Sequence, residues 1–145
     1  MSAPDIRRLT NADFDDALAL YRALTRDPVP VSAAPRDFAA VLAHPGTAIF
    51  GAEVDGRIRS MLTAHLLPNM TSGGRAYGLI ENVVTDPGFQ RRGLGRMTLR
   101  AAIDHARGAG AYKLMLLTGT ARGARGFYEK LGFSDAEKHG MVLRF

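Results

Sequence analysis

The chain has 145 residues, 46% of them apolar, and its 19 Lys and Arg outnumber 14 Asp and Glu for a formal net charge of +5. That length suits one domain, residues 1–145, able to bury a real core, and the basic surplus favours an anionic ligand. The absence of cysteine excludes disulfides, thiolate metal sites and a thiol nucleophile. No run approaches the roughly 20 apolar residues of a membrane span, and the N-terminus lacks the apolar centre of a signal peptide. The reading is a cytoplasmic protein without a membrane partner.

In chain order, Asp5 to Leu9 is a short strand, and Thr10 or Asn11 caps a helix with apolar residues at Phe14, Ala17, Leu18, Tyr21 and Leu24. Pro28 and Pro30 rule out its continuation, and a second helix is expected from Pro35 to the Pro45-Gly46 turn. Thr47 to Val54 and Arg57 to Leu67 flank Asp55-Gly56, a hairpin signal, and should pair antiparallel. Pro68 to Arg75 is a polar loop, and Ala76 to Thr85 is a long strand stopped by Asp86-Pro87-Gly88. Leu99, Ala102, Ile103 and Ala106 share one helical face, with Gly108 and Gly110 placed to end the helix. Tyr112 to Thr118 is an apolar strand of the kind covered on both faces. Ala121, Ala124, Phe127, Tyr128 and Leu131 form another helical stripe stopped by Gly132, and His139 to Phe145 is a last strand. The strand, turn, helix, strand order from Ala76 to Thr118 implies a right-handed crossover and a parallel pair.

Gln90-Arg91-Arg92-Gly93-Leu94-Gly95-Arg96 is the segment that carries chemistry. Glycines at 93 and 95 can take backbone angles other residues resist, so successive N–H groups can converge on an anion where a helix begins. Arg91, Arg92 and Arg96 add positive charge around them. A plain structural turn and a dinucleotide-binding turn are the alternatives. The second fits poorly, because its third glycine would fall at Thr98 and the turn does not open the first strand-helix-strand unit.

Two segments resemble the GNAT superfamily of acetyl-coenzyme A dependent N-acetyltransferases. They are Ile80-Glu81-Asn82-Val83-Val84-Thr85-Asp86-Pro87 running into the glycine turn, and Phe127-Tyr128-Glu129-Lys130-Leu131-Gly132-Phe133. Gln90, Gly93 and Gly95 satisfy that family's acyl-CoA signature, and the rest of the chain is compatible with it. The resemblance implies an α/β (α+β) GNAT acyl-CoA N-acyltransferase fold: a mixed, mostly antiparallel sheet of six to seven strands, with a parallel pair at the acyl-CoA site and about four flanking helices. It implies acetyl-CoA as co-substrate and no metal. Pyrophosphate would sit on Gln90, Arg91, Arg92, Gly93, Leu94, Gly95 and Arg96, and the pantetheine arm would bond main-chain groups of Val83, Val84 and Thr85. An N–H near Val84 would stabilise the tetrahedral oxyanion.

By the same resemblance Tyr128 is the general acid for the departing thiolate, since a hydroxyl with an ordinary pKa of about 10 stays protonated at neutral pH. Glu81 takes the amine proton, directly or through water, or else only binds substrate together with Asn82. Strand alternation puts Glu81 and Asn82 on opposite faces, which argues against one joint task. One departure is Ala121, where many members carry an asparagine contacting the CoA arm; Thr118 or Thr120 could substitute a hydroxyl. His65 is read more readily as a surface or hydrogen-bonded residue than as a pocket residue, and His44, His105 and His139 lack metal-ligand spacing. Arg122, Arg125 and Lys130 are read as a solvated helix face. The acceptor is a primary amine of a small metabolite, amino-sugar-like by similarity of the 80–84 stretch. A protein or peptide amine, or a non-catalytic acyl-CoA-binding domain, are the other readings. No nucleic-acid motif is present, and a homodimer is the expected assembly.

Overall fold

The computed structural model describes residues 1–145, and these fall into two contact units, residues 1–115 and 116–145. In the first unit β1 (Asp5–Arg8), β2 (Thr47–Val54), β3 (Arg57–Leu67) and β4 (Tyr77–Thr85) form an antiparallel series. The short β5 (Leu114–Leu116) completes a five-stranded sheet in the order β1-β2-β3-β4-β5 and runs parallel to β4. Where β5 approaches, Gly78 N–H donates to Lys113 C=O at 2.9 Å and Tyr112 N–H to Ala76 C=O at 2.9 Å.

Helices α1 (Phe14–Leu24) and α2 (Pro35–Ala43) precede the hairpin, α3 is a single turn at Thr71–Gly74, and α4 (Leu94–Gly108) follows β4. The entry to α1 is a 3-10 turn capped by Thr10, whose hydroxyl accepts from Ala12 N–H while Asp13 accepts from Thr10 N–H. Proline at the first position of α2 supplies a preset φ where its missing N–H costs nothing. One apolar cluster joins Ala17 and Leu20 of α1 and Phe38 of α2 to Ile49, Met61 and Val84 of the sheet. Leu94 packs with Ala52 and Val54 in a second cluster, and Leu99, Ala102 and Ala106 of α4 are buried.

An arginine cluster locks the sheet edge to the first turn. Arg7 of β1 donates from Nε and Nη2 to Glu53 and from both Nη atoms to Asp13, at 2.7 to 2.9 Å. These bonds push the Arg7 guanidinium pKa further up and hold the Asp13 carboxyl below its ordinary 3.8, the Arg7 bond being the main cause.

In the second unit a 3-10 turn at Thr120–Arg122 leads to α5 (Arg125–Glu129). The helical stripe expected from Ala121 to Leu131 is therefore broken, and Gly123 at φ 65° is where it breaks. The sheet has five strands, not six to seven. His139 to Phe145 forms no strand, since no neighbour offers it a ladder, and Met141, Val142, Leu143 and Phe145 are exposed. Likewise β5 covers only part of Tyr112 to Thr118, and as the last strand of the sheet it is half-buried instead of covered on both faces. The loop expected at Pro68 to Arg75 contains α3, whose Ser72 and Gly73 have left-handed angles.

Candidate active site

The turn from Gln90 to Arg96 ends in a helix terminus with nothing of its own to satisfy it. Arg91 has φ 60° and Gly93 φ 81°, so left-handed residues alternate with ordinary ones and turn successive N–H groups toward one concavity. Gly93 is the N-cap of α4; no side chain caps it and the first turn holds no acidic residue. The first N–H bonded back is that of Met97, to Gly93 C=O at 3.0 Å. The N–H groups of Leu94, Gly95 and Arg96 precede it, so they have no partner within the helix. Fifteen residues of aligned peptide dipoles add positive potential there. Gln90, Arg91, Arg92, Gly93 and Arg96 are exposed, but Leu94 is buried among Ala52 and Val54, so only its backbone can meet a ligand.

The turn is held from behind by Asp86, Arg59 and Phe89. Asp86 accepts from Gly88 N–H at 2.9 Å and from Arg59 Nη1 at 2.9 Å. The guanidiniums of Arg59 and Arg92 lie 4.4 and 4.8 Å from the Phe89 ring centre, within cation–π range. Arg59 Nε is buried without a hydrogen-bond partner, so this residue is committed to its place by stacking and by Asp86. Arg59 was missed because an arginine on a hairpin strand reads as solvent-facing.

Strand β4 carries one extra residue in the middle of its pairing with β3. Thr63 faces Glu81 and Met61 faces Val84, so Asn82 and Val83 together stand against Leu62. Asn82 takes φ 54°, a conformation asparagine tolerates better than most residues. The bulge interrupts simple alternation, so that Glu81 shares a sheet face with Val84, and it is Asn82 that lines the same cavity as Thr63 and His65. Glu81 is exposed and does not line it. Val84 is buried, its C=O accepts from Ser60 Oγ at 3.1 Å, and the Ser60 and Thr85 hydroxyls lie 2.8 Å apart. Val83 and Thr85 are half-buried.

That cavity, about 280 Å³, lies between α1, α2, β3 and β4. His65 is both hydrogen-bonded and cavity-lining: its Nδ1 is 2.8 Å from Thr47 Oγ1, which is 3.1 Å from His44 Nδ1. One hydroxyl proton serves only one imidazole, so the other ring must donate to Thr47, and Nε2 of His65 is left for a ligand. Burial pushes the Tyr21 hydroxyl pKa up, opposed by its hydrogen bond with Thr63.

Tyr128 belongs to the second unit, on α5. Burial raises its pKa, opposed by the positive charge of Arg122, so its hydroxyl is a proton donor throughout the neutral range. The helix behind it ends in a Schellman motif: Phe133 N–H donates to Tyr128 C=O at 3.2 Å and Gly132 N–H to Glu129 C=O at 3.0 Å, with Gly132 at φ 97°. The Phe133 ring packs edge-on against Tyr128 at 6.1 Å, and Phe127 does so at 5.1 Å. No group of three or more His, Cys, Asp or Glu is arranged to hold a metal ion, and no helix is long and apolar enough to cross a membrane.

A phosphate-type helix terminus after a bulged strand, in a mixed sheet with a parallel pair, defines an acyl-CoA N-acyltransferase architecture. The profile of the Acetyltransferase (GNAT) family matches residues 9–133, and the chain belongs to that family; it is an acetyl-CoA-dependent acyltransferase. It is 32% identical over 136 residues to a glucosamine 6-phosphate N-acetyltransferase of Trypanosoma brucei brucei, covering 92% of this chain and 91% of that one. A solved structure from Agrobacterium tumefaciens str. C58, provisionally described as an acetyltransferase, superimposes with a TM-score of 0.91 at 39% identity, over 97% of this chain and 99% of the other. A shorter match, 45% identical over 56 residues and covering 38% of each chain, is to a ribosomal protein bS18 alanine N-acetyltransferase of Salmonella typhimurium strain LT2.

Proposed function

We propose that the chain transfers the acetyl group of acetyl-CoA to a primary amine of a small metabolite by direct attack. The observation that carries this reading is the uncapped start of α4, where left-handed Arg91 and Gly93 leave the N–H groups of Leu94, Gly95 and Arg96 for an anion. The pyrophosphate of the co-substrate is such an anion, and the arginines around the turn supplement the backbone. The trypanosomal relative's name supports a small acceptor, with amino sugars among the candidates. The Salmonella relative keeps a protein N-terminal amine as the second reading.

In this mechanism the amine lone pair attacks the thioester carbon, and a main-chain N–H near Val84 receives the developing oxyanion, a role whose loss elsewhere costs about 2.7 to 4 kcal/mol. Glu81 takes the surplus amine proton, directly or through water. Collapse expels the CoA thiolate, which Tyr128 protonates. Val83, Val84 and Thr85 hold the pantetheine arm through their backbone, and Asn82 lines the space where the acceptor enters.

A thermal-shift titration with acetyl-CoA, CoA and NAD tests the cofactor half. At 100 times its dissociation constant a ligand adds about 2.7 kcal/mol of stability. Stabilisation by both CoA species and not by NAD is expected. No response to either CoA species refutes the reading.

A further inference from the structure

We propose that the acceptor site is the cavity between α1, α2, β3 and β4, and that it selects an unphosphorylated amine with an apolar body, about nine non-hydrogen atoms in all. This rests on the acetyltransferase reading above and departs from the phosphorylated sugar in the trypanosomal relative's name.

The first support is where the charge lies. The chain carries five more cationic than acidic side chains, yet no Lys or Arg lines this cavity, and its one charged lining residue is Asp37. Arg36 approaches Asp37 at 3.7 Å, but its side chain is 89% exposed and turned to solvent. A phosphate entering here would lose its water with no guanidinium or ammonium to replace it and with a carboxylate for a neighbour. An amine arriving as its ammonium ion meets the opposite situation.

The second support is the wall. Three aromatic rings from the two helices, Phe14, Tyr21 and Phe38, face the space together with Val31 and Val41. A sugar would have to leave most of its hydroxyls unpaired against that surface, whereas an aryl or alkyl body removes apolar area from water. Six lining side chains are polar, and most already have partners: the Ser32 hydroxyl donates to Asp37, the Tyr21 and Thr63 hydroxyls bond each other, and His65 Nδ1 meets Thr47, which leaves His65 Nε2, Asn82 and the outer oxygen of Asp37. They can orient one amine and little more. At about 30 Å³ per water, the 280 Å³ volume holds a ligand the size of 2-phenylethylamine.

The test is thiol release at saturating acetyl-CoA with 2-phenylethylamine, glucosamine and glucosamine 6-phosphate. We expect kcat/KM for 2-phenylethylamine to exceed that for glucosamine 6-phosphate at least tenfold. Asp37→Asn should raise KM for 2-phenylethylamine at least threefold with kcat within twofold, and Val31→Arg, which places a cation in the cavity, should shrink the preference at least tenfold. A preference below tenfold, or a ratio that Val31→Arg leaves unchanged in a protein whose melting temperature is intact, overturns the inference and leaves acetyl transfer standing. Release with none of the three amines or with any of a wider primary-amine panel, in a protein that acetyl-CoA still stabilises, overturns the acetyltransferase reading and this inference with it.

Discussion

Every buried residue of the molecule lies in residues 1–115, whereas residues 116–145 contain none, and their apolar side chains are half-buried or exposed. In the first unit burial is redundant: Leu99, Ala102 and Ala106 of α4, and Ile49, Met61 and Leu62 of the sheet, are each almost fully enclosed. In the second, order comes from local devices. Gly132 stops a five-residue helix, three aromatic rings pack edge to edge, and Arg125 bridges Glu129 and Asp135 at 2.9 Å. Stability is thus concentrated away from the proposed proton donor, which sits where removing one atom should alter chemistry without emptying a core.

The largest expected effect sharpens this contrast. Leu99→Ala should lose about 2 to 5 kcal/mol in urea unfolding, against about 1 kcal/mol for Phe127→Ala, which is 36% exposed and stacked on one ring. Equal losses would show that both units are held alike. Next, Tyr128→Phe should lower turnover at least tenfold with acetyl-CoA affinity nearly unchanged, measured by steady-state thiol release alongside a binding titration; normal turnover would remove Tyr128 from the mechanism.

Gly93→Ala puts a β-carbon on a residue at φ 81° with open space around it, so strain and not collision sets the cost, about 1 to 2 kcal/mol. It should appear as a lower melting temperature and weaker CoA binding. A smaller effect concerns acid. The folded Asp13 carboxyl ionises below its unfolded value because Arg7 bonds its charged form. The folded state therefore binds fewer protons, and this contribution is present above the ordinary 3.8 and lost as pH falls through the depressed folded value. Acid unfolding of Asp13→Asn should show a shallower pH dependence between 3.8 and the depressed folded value. The smallest change is expected from Arg125→Ala, whose exposed bridges are worth about 0.2 to 1 kcal/mol; a larger shift in melting temperature would mean that the second unit depends on charge.

What could be read from sequence was whatever is decided locally. Asp55-Gly56 marks the hairpin, and the two residues adopt φ 52° and 75° between strands running 47–54 and 57–67, the expected bounds. The glycine turn before α4 was legible because its requirements are backbone angles and a helix start. The bulge at Asn82 was not, since it depends on which residues of β3 stand opposite; asparagine, a poor strand former, between Glu81 and Val83 was the only hint. The failed strand at His139 to Phe145 has the same origin, because alternation states a preference for pairing and says nothing of a partner. The cavity was hidden for a third reason: Phe14, Tyr21 and Phe38 carry helical spacing that fits a filled core equally well, and only packing shows where the filling stops.

The helix stop behind Tyr128 changes how the Phe-Tyr-Glu-Lys-Leu-Gly-Phe block should be weighted. Gly132 and Phe133 bind back to the carbonyls of Glu129 and Tyr128 and brace the tyrosine ring, so they carry a folding instruction, while the chemical role proposed for the segment falls to the hydroxyl of Tyr128 alone. A mutational scan scored only by activity would rank all three together. Scored by activity per folded molecule, it would separate the grammar of the segment from its meaning.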